Sequence, residues 1–372
     1  MQRKRLFYVG ICLLLVLSLA LSGCGNGGGN GGGGDDEKVY EFSYQLSHGR
    51  QQYLTQQAHL TFAAALEEKS GGRLKPVVYD TDAVSDDPLG ALASGTLQMA
   101  QGFPSGFPGV YPLTDASLQP FLVPSSTVGS LVMWEISQEF PEWREEYPDG
   151  VKVLSHFCSA TYQLHSKDPI KTLEDLKGKK VGAWDSTSVR LVEALGGIPI
   201  NDTGSDSAMN LDRGLIDAVL CPLAPVIPFG IAEIAQYHTI TNFYVCTFFL
   251  GVNEAWFNSL PEDLQQIILD EAGEKFAEKS GLALDEGALI DCERMYEMYE
   301  NTVIYDLPNE DPEEYARWVE KVSGLTDTYL ADMDAIGKGE VAREILAAIE
   351  KKVEEKVAAG VFIPDYSSVV KE

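Results

Sequence analysis

The sequence predicts an α/β protein built as two lobes. Strand-like and helix-like segments alternate from Val39 onward, and the alternation restarts near Val151. The chain is also too long for one hydrophobic core, since about 349 residues remain once residues 1–23 are set aside. Alternation of this kind argues for parallel sheets flanked by helices. Hydrophobic residues make up 45% and charged residues 23%, an ordinary balance for a globular protein.

The N-terminus reads as an export signal. Arg3, Lys4 and Arg5 precede an apolar run from Leu6 to Leu21, which is followed by Ser22-Gly23-Cys24. That run is short of the roughly 20 residues a spanning helix needs. A cysteine at the cut site resembles the bacterial lipoprotein signal, in which Cys24 is lipidated and becomes the new N-terminus. The alternative is an uncleaved membrane anchor. Residues 25–34, GNGGGNGGGG, cannot bury apolar surface and form a flexible tether spanning about 17 Å. A phosphate-cradling loop is the competing reading of these glycines, but no strand precedes them and no Gly-Lys-Ser/Thr follows.

In the first half, VYEFSYQLS (39–47) alternates as a half-buried strand does. A helix is expected over Tyr53–Ser70, closed by Gly71-Gly72, then a strand Leu74–Tyr79, a short helix Pro88–Ser94 and a strand Leu97–Gln101. In the second half, strands are expected at Val151–Ser155, Thr161–Ser166, Lys179–Ala183, Ile198–Asn201, Leu215–Leu220 and Tyr244–Asn253. Helices are expected at Thr172–Leu176, Thr187–Leu195 and Asp206–Arg213. Pro261–Tyr299 reads as one long helix or two joined ones, with Pro in the first turn. Charged amphipathic helices follow at about 311–333 and 339–358.

Charge narrows the partners. The formal charge is −28, and loss of the three basic signal residues leaves 25 Lys and Arg against 56 acids, or −31. Such a surface repels nucleic acid and anionic lipid, so a lipid chain rather than the surface would hold the protein at a membrane. Besides Cys12 and Cys24 the cysteines are Cys158, Cys221, Cys246 and Cys292, widely spaced and without a C-x-x-C pair, which argues against zinc. Disulfides and buried free thiols both remain open. Asp80-Thr81-Asp82 with Asp86-Asp87 gathers carboxylates, but Ser85 stands where a calcium loop needs Gly, so a solvated acidic loop is expected and no metal or cofactor.

Two α/β lobes behind an export signal suggest an extracytoplasmic solute-binding protein that closes a cleft on its ligand. The alternative of an exported hydrolase finds little support. There are five His and no G-x-S-x-G, H-E-x-x-H or nucleotide fingerprint. His156 and Cys158 merely share a strand face.

Residues 39–335 resemble the solute-receptor subunit of tripartite ATP-independent periplasmic (TRAP) transporters. The likeness rests on KDPIKTLEDLKGKKVGAW (167–184), LGGIPI (195–200), LDRGLIDAV (211–219) and VNEAWFNSLPEDLQQIILDEA (252–272). GRLKPVVY (72–79), ASGTLQMA (93–100) and PFLVP (120–124) carry it in the first half. The resemblance implies a two-lobed fold like the type II periplasmic binding proteins, with the ligand cleft between lobes and a long helix spanning the hinge. It implies capture of a small solute, usually a carboxylate, for a sodium-driven permease in the membrane, and no catalysis. The expected division is a signal peptide (1–23), a lipidated linker (24–38), lobe I (39–160 and about 250–285), lobe II (161–249 and about 286–335) and a C-terminal helical extension (336–372). A receptor for an ABC importer, or a sensory module, would share the body. Monomer and dimer both remain open.

The site departs from the family pattern. Where the family's strand carries an Arg that pairs the ligand carboxylate, this chain has Gly182. Tyr162 and Gln163 occupy the region of a second Arg, Cys221 replaces an amide, and Asp206 corresponds to the Glu opening the next helix. Loss of one charge-assisted pair costs a carboxylate roughly 1.5–3 kcal/mol. Either Arg50, Arg190 or His48 supplies the cation, or the solute is neutral, aromatic or cationic, with Gly182 leaving room for it. The family favours an organic acid. Ligands in such sheets lie beyond the carboxyl ends of strands. That rule nominates His48, Arg50 and Tyr53, then Phe103, Ser105 and Phe107, then Trp184, Asp185 and Ser186, against solvated loop or core packing. Phe248 and Asn253 sit on or near the long connecting strand.

Overall fold

The computed structural model describes residues 38–107 and 109–371; the signal, Cys24 and the glycine linker lie outside these. Residues 39–371 form two five- and six-stranded sheets with helices against them. The first sheet joins β1 (Tyr40–Gln45), β2 (Leu74–Tyr79), β3 (Met99–Gly102), β4 (Val151–Cys158) and β10 (Thr247–Asn253) in the order β2-β1-β3-β10-β4. The second orders β11-β9-β5-β8-β6-β7 from β5 (Gln163–Ser166), β6 (Lys180–Ala183), β7 (Ile198–Asn201), β8 (Ala218–Cys221), β9 (Tyr237–Ile240) and β11 (Val303–Asp306).

Neither sheet is purely parallel, contrary to the expectation from alternation. β1 pairs in parallel with β2 and β3, but β10 runs antiparallel to both β3 and β4. In the second sheet β5 runs antiparallel to β8 and β9. The reversals fall where the chain crosses between lobes. β4 leaves the first sheet and feeds β5, and the return path from β9 feeds β10. The two crossing segments pair with each other. Ser159 N donates to Cys246 O (2.8 Å), Tyr162 N to Tyr244 O (2.9 Å) and Phe243 N to Tyr162 O (3.2 Å). This short ladder joins the two sheets where a hinge between the lobes would lie.

Gln163 clamps it. Its Oε1 accepts from Thr241 N (2.6 Å) and Asn242 N (2.8 Å), and its Nε2 donates to Thr161 Oγ1 (2.8 Å). The clamp holds Asn242 at φ 51°, a left-handed conformation that Asn tolerates better than most residues.

The α-helices of nine or more residues among the described residues are α1 (Leu60–Lys69), α2 (Ser126–Glu139), α3 (Ser186–Leu195), α4 (Gly204–Asp212), α5 (Glu262–Glu271), α6 (Gly273–Met298), α7 (Pro312–Val322), α8 (Leu325–Ala335) and α9 (Gly339–Ala358), so the segment from Pro261 is two helices, α5 and α6. The break comes at Ala272-Gly273, where Gly273 has φ +59°. α6 crosses α2 (Ser126–Glu139) at very short range. A Cβ on Gly281 would lie 2.6 Å from Thr127 Cα, so only Gly fits. One turn on, Asp285 accepts from Ser126 N (2.9 Å), Thr127 N (2.8 Å) and Thr127 Oγ1 (2.7 Å), capping α2 from the neighbouring helix. Burial pushes the Asp285 carboxyl up to about 6 despite those donors.

The C-terminal helices pack on the first lobe. α9 (Gly339–Ala358) sets Ala342, Ile345 and Ile349 in one core cluster with Val128, Val132 and Ile136 of α2. Cys158, Cys221, Cys246 and Cys292 are all buried free thiols. Among the described residues no helix is long and apolar enough to cross a membrane, and no group of three or more His, Cys, Asp or Glu is placed to hold a metal.

Candidate ligand-binding cleft

Strand ends from both sheets converge on a cavity of about 370 Å³. The first lobe contributes Ser47, His48 and Gln52 after β1, Gly102 at the end of β3, Phe103 and Phe107 after it, and Phe248 from β10. The second contributes Trp184 after β6 and Pro222, Ala224, Pro225 and Phe229 after β8. Tyr162 and Cys246 come from the hinge ladder and Leu284 from α6. The walls are therefore drawn from both sheets and from the segments that join them.

Six aromatic rings line this space: Phe103, Phe107, Tyr162, Trp184, Phe229 and Phe248. Several are held in fixed stacks. Phe248 lies between Phe157 (centroids 5.3 Å apart, 13° between planes) and Phe103 (5.1 Å, 29°). Tyr162 stacks on Tyr244 at 4.3 Å, and its hydroxyl meets Cys246 Sγ at 3.0 Å. Tyr244 in turn donates to buried Asp185 (2.9 Å), which caps α3 (Ser186–Leu195) through Ser188 N (2.8 Å). Trp184 meets Phe229 edge-on at 6.3 Å and donates from Nε1 to Ser207 Oγ (3.1 Å). Rings pinned this way offer flat apolar faces at low entropic cost.

Polar groups are few. Gln101 Nε2 lies 2.8 Å from His48 Nδ1, and burial lowers the His48 pKa, so the ring is neutral near pH 7. Ser47 Oγ and Gln52 Oε1 are buried atoms without a hydrogen-bond partner among the described residues. Asp82 and Asp86 stand at the mouth. Their loop is fixed by Gln45, whose Oε1 accepts from Val84 N (2.8 Å) and Ser85 N (2.9 Å) and whose Nε2 donates to Ser85 O (2.7 Å). Burial, with the Asp86 charge nearby, raises Asp82 to about 6. No Lys or Arg lines this cavity.

A second cavity of about 570 Å³ shares Ser47, His48, Gln52, Phe229 and Leu284 with the first and extends past Arg50, Tyr53 and Arg294. Its cations are engaged. Arg50 donates to Val78 O (3.0 Å) and its Nε lies 3.9 Å from Asp80, while Arg294 donates to Asp291 (3.0 Å). Tyr53 donates to Glu286 (3.1 Å).

The nominated residues thus divide. His48, Phe103, Tyr162, Trp184 and Phe248 line the first cavity, and Arg50 and Tyr53 the second. Ser186 and Arg190 line a third, away from both, where Arg190 pairs Asp332 at 2.7 Å. Ser105, Gln163, Gly182, Asp206 and Cys221 line none of the three. Gly182 leaves no room: a Cβ there would sit 2.6 Å from Asp202 Oδ2 and 3.0 Å from Ile216 Cδ1. Asp202 is tied down by Ser207 (2.5 Å) and Asn210 (2.7 Å). Cys221 is fully buried in β8. Asp206 accepts from Thr203 Oγ1 (2.9 Å) on the surface, and Asn253 caps the next helix through Trp256 N (2.7 Å). Phe229, Gln52, Cys246 and the two mouth carboxylates line the cavity beyond the residues the sequence points to. Phe229 follows β8 in a Pro-rich loop, so the strand-end rule would have reached it.

Residues 43–332 match the DctP model of bacterial extracellular solute-binding proteins, family 7. The chain belongs to that family. The receptor is 27% identical over 232 residues to a solute-binding protein of Chromohalobacter salexigens, covering 61% of this chain and 68% of the relative. It is 23% identical over 238 residues to the 2,3-diketo-L-gulonate-binding periplasmic protein of Escherichia coli, covering 63% and 71%. In fold it is similar to a TRAP solute-binding protein from Rhodoferax ferrireducens holding copurified benzoate, with TM-score 0.79, 21% identity, and coverage of 87% of this chain and 100% of that one. A TRAP protein of Bordetella bronchiseptica with bound mandelate gives TM-score 0.74 at 18% identity, covering 85% and 99%. This receptor is an extracytoplasmic solute-binding protein with the family's two-lobed fold.

Proposed function

We propose that the receptor captures a small aromatic solute between its lobes, closes on it, and hands it unchanged to a sodium-driven TRAP permease. Lipidated Cys24 would hold it to the membrane, with residues 25–38 as the tether. The observation that carries this reading is the aromatic lining of the interlobe cavity, six rings drawn from both lobes and the hinge. The family supplies the permease as partner. The Rhodoferax and Bordetella proteins, which share the fold, hold benzoate and mandelate, both ring-bearing carboxylates, which supports the ring and, for those proteins, the organic acid that the family likeness leads one to expect. A receptor reading rather than an enzyme is supported by the buried thiols, whose pKa values are raised by desolvation and which are therefore poor nucleophiles.

The test is thermal unfolding against a panel of sugars, aliphatic carboxylates, amino acids and ring-bearing solutes. A ligand at 100 times its Kd adds about 2.7 kcal/mol, which shifts the midpoint measurably. Ring-bearing solutes should give the shifts. Shifts from sugars or aliphatic acids alone would overturn the aromatic reading. For the anchor, radiolabelled palmitate should be incorporated by the parent and not by Cys24→Ala.

A further inference from the structure

The head group of the solute follows from the charges around the cavity. We propose that the ring-bearing solute carries a cationic head, as in an arylalkylamine, read by Asp82 and Asp86 at the mouth. This rests on the aromatic reading above and adds the charge.

Three observations converge. The ring-lined cavity holds two carboxylates and no Lys or Arg. The adjoining cavity adds Asp80 and Asp291 against Arg50 and Arg294, and both cations are engaged by those same acids. The one other titratable base at the junction, His48, has its charged form disfavoured by burial. A carboxylate entering the ring-lined cavity would therefore face two carboxylates and no guanidinium in its walls, and desolvating it there would go uncompensated. A cation meets the opposite. The faces of Trp, Tyr and Phe attract it through their quadrupoles, and the mouth carboxylates add Coulomb attraction in a half-desolvated setting. The overall charge of −28 raises the local concentration of cations and lowers that of anions.

The acidic loop is built for a fixed position. Thr81 and Asp82 both adopt left-handed backbone, φ 55° and 52°, and the Gln45 amide holds the following turn through three hydrogen bonds. Side chains so placed pay little ordering entropy on binding. Beyond them, Gln52 Oε1 is a buried acceptor without a partner among the described residues, a second group suited to an ammonium N–H.

The experiment compares three solutes on one skeleton with the purified full-length protein: 2-phenylethylamine, 2-phenylethanol and 3-phenylpropanoate, with tryptamine, tryptophol and indole-3-propanoate as the larger-ring set. Titration calorimetry should give an amine Kd at least tenfold below that of the alcohol, and no detectable acid binding. The Asp82→Asn/Asp86→Asn double variant should weaken the amine five- to tenfold and leave the alcohol within twofold. High salt should weaken the amine and not the alcohol. Acid binding as tight as the amine overturns the cationic head while leaving the aromatic solute intact. Binding of the amine that ignores both Asp substitutions also overturns it. Failure of all six solutes overturns the aromatic reading itself and this inference with it. A melting curve of the double variant within 2 °C of the parent shows that the fold survives.

Discussion

Replacing Gly182 with arginine restores the guanidinium that the family likeness places on β6, and the structure predicts that it gains nothing. A Cβ at Gly182 would lie 2.6 Å from Asp202 Oδ2, 3.0 Å from Ile216 Cδ1 and 3.2 Å from Asp202 Cβ. Asp202 has nowhere to go, because Ser207 and Asn210 hold its two oxygens at 2.5 and 2.7 Å. Overpacking of this kind costs about 1–3 kcal/mol, and each displaced hydrogen bond about 1 kcal/mol more. Gly182→Arg should therefore lose about 2–4 kcal/mol. In a chain this long each kcal/mol moves the midpoint by roughly 1–2 °C, so thermal unfolding should fall by about 2–8 °C. Gly182→Ala carries the steric part without the charge and should fall too. Benzoate and phenylpropanoate should bind no better to Gly182→Arg than to the parent. A variant that melts with the parent and gains carboxylate affinity would show instead that the space beside β6 belongs to the cleft.

Phe248→Ala removes the middle ring of the Phe103–Phe248–Phe157 stack; it should cost about 2–4 kcal/mol of stability in a denaturant melt and at least tenfold in affinity for any aromatic ligand found by calorimetry. Asp285→Ala leaves two backbone N–H groups of α2 unpaired in the interior and should cost about 3–5 kcal/mol in the same assay, whereas Asp285→Asn, which keeps an acceptor, should cost less than half of that. Asp115 is raised to about 7, first by burial and then by Asp185 and Glu146. Its folded form binds a proton more tightly than its unfolded form, so the favourable contribution is full below about pH 4 and is lost as pH rises through 7. Asp115→Asn should then gain stability over the parent at pH 8, by at most about 4 kcal/mol, and little at pH 4; melting both proteins at the two pH values checks the sign.

The division into two sheets was legible because the strand–helix alternation restarts and because Gly71-Gly72, Gly178 and Gly196-Gly197 punctuate it. Helix α2 was not, and the reason is packing. Its residues from Ser126 to Met133 are all buried, between the first sheet, α6 and α9, so no polar face marks a 3.6-residue period. β9 and β11 were not legible either: they are as short as β5 to β8 but lack the closing glycines and neighbouring helix signals that set those off. The antiparallel runs of β5 and β10 depend on which lobe a strand returns to, which local pattern does not encode. At the cleft, the rule that ligands lie beyond strand ends reaches His48, Phe103 and Trp184, because it follows from topology. Alignment to the family pattern instead led to Gly182, Cys221 and Asp206, and here the neighbouring chain has changed as well: Asp202 and Ile216 fill the space beside Gly182. Gln163 shows a further limit. Its type suits a ligand contact, but its partners lie within the hinge itself.

A ring-binding cleft between lobes that releases its solute unchanged makes a calorimetric and a chemical prediction together. The most direct test is titration calorimetry of the purified protein with the ring-bearing panel, followed by mass analysis of the recovered solute. One saturable site per chain, a negative heat-capacity change from buried apolar surface, and recovery of intact solute are the predicted result. No heat from any aromatic solute, whatever its head group, or recovery of a chemically altered one, would contradict it.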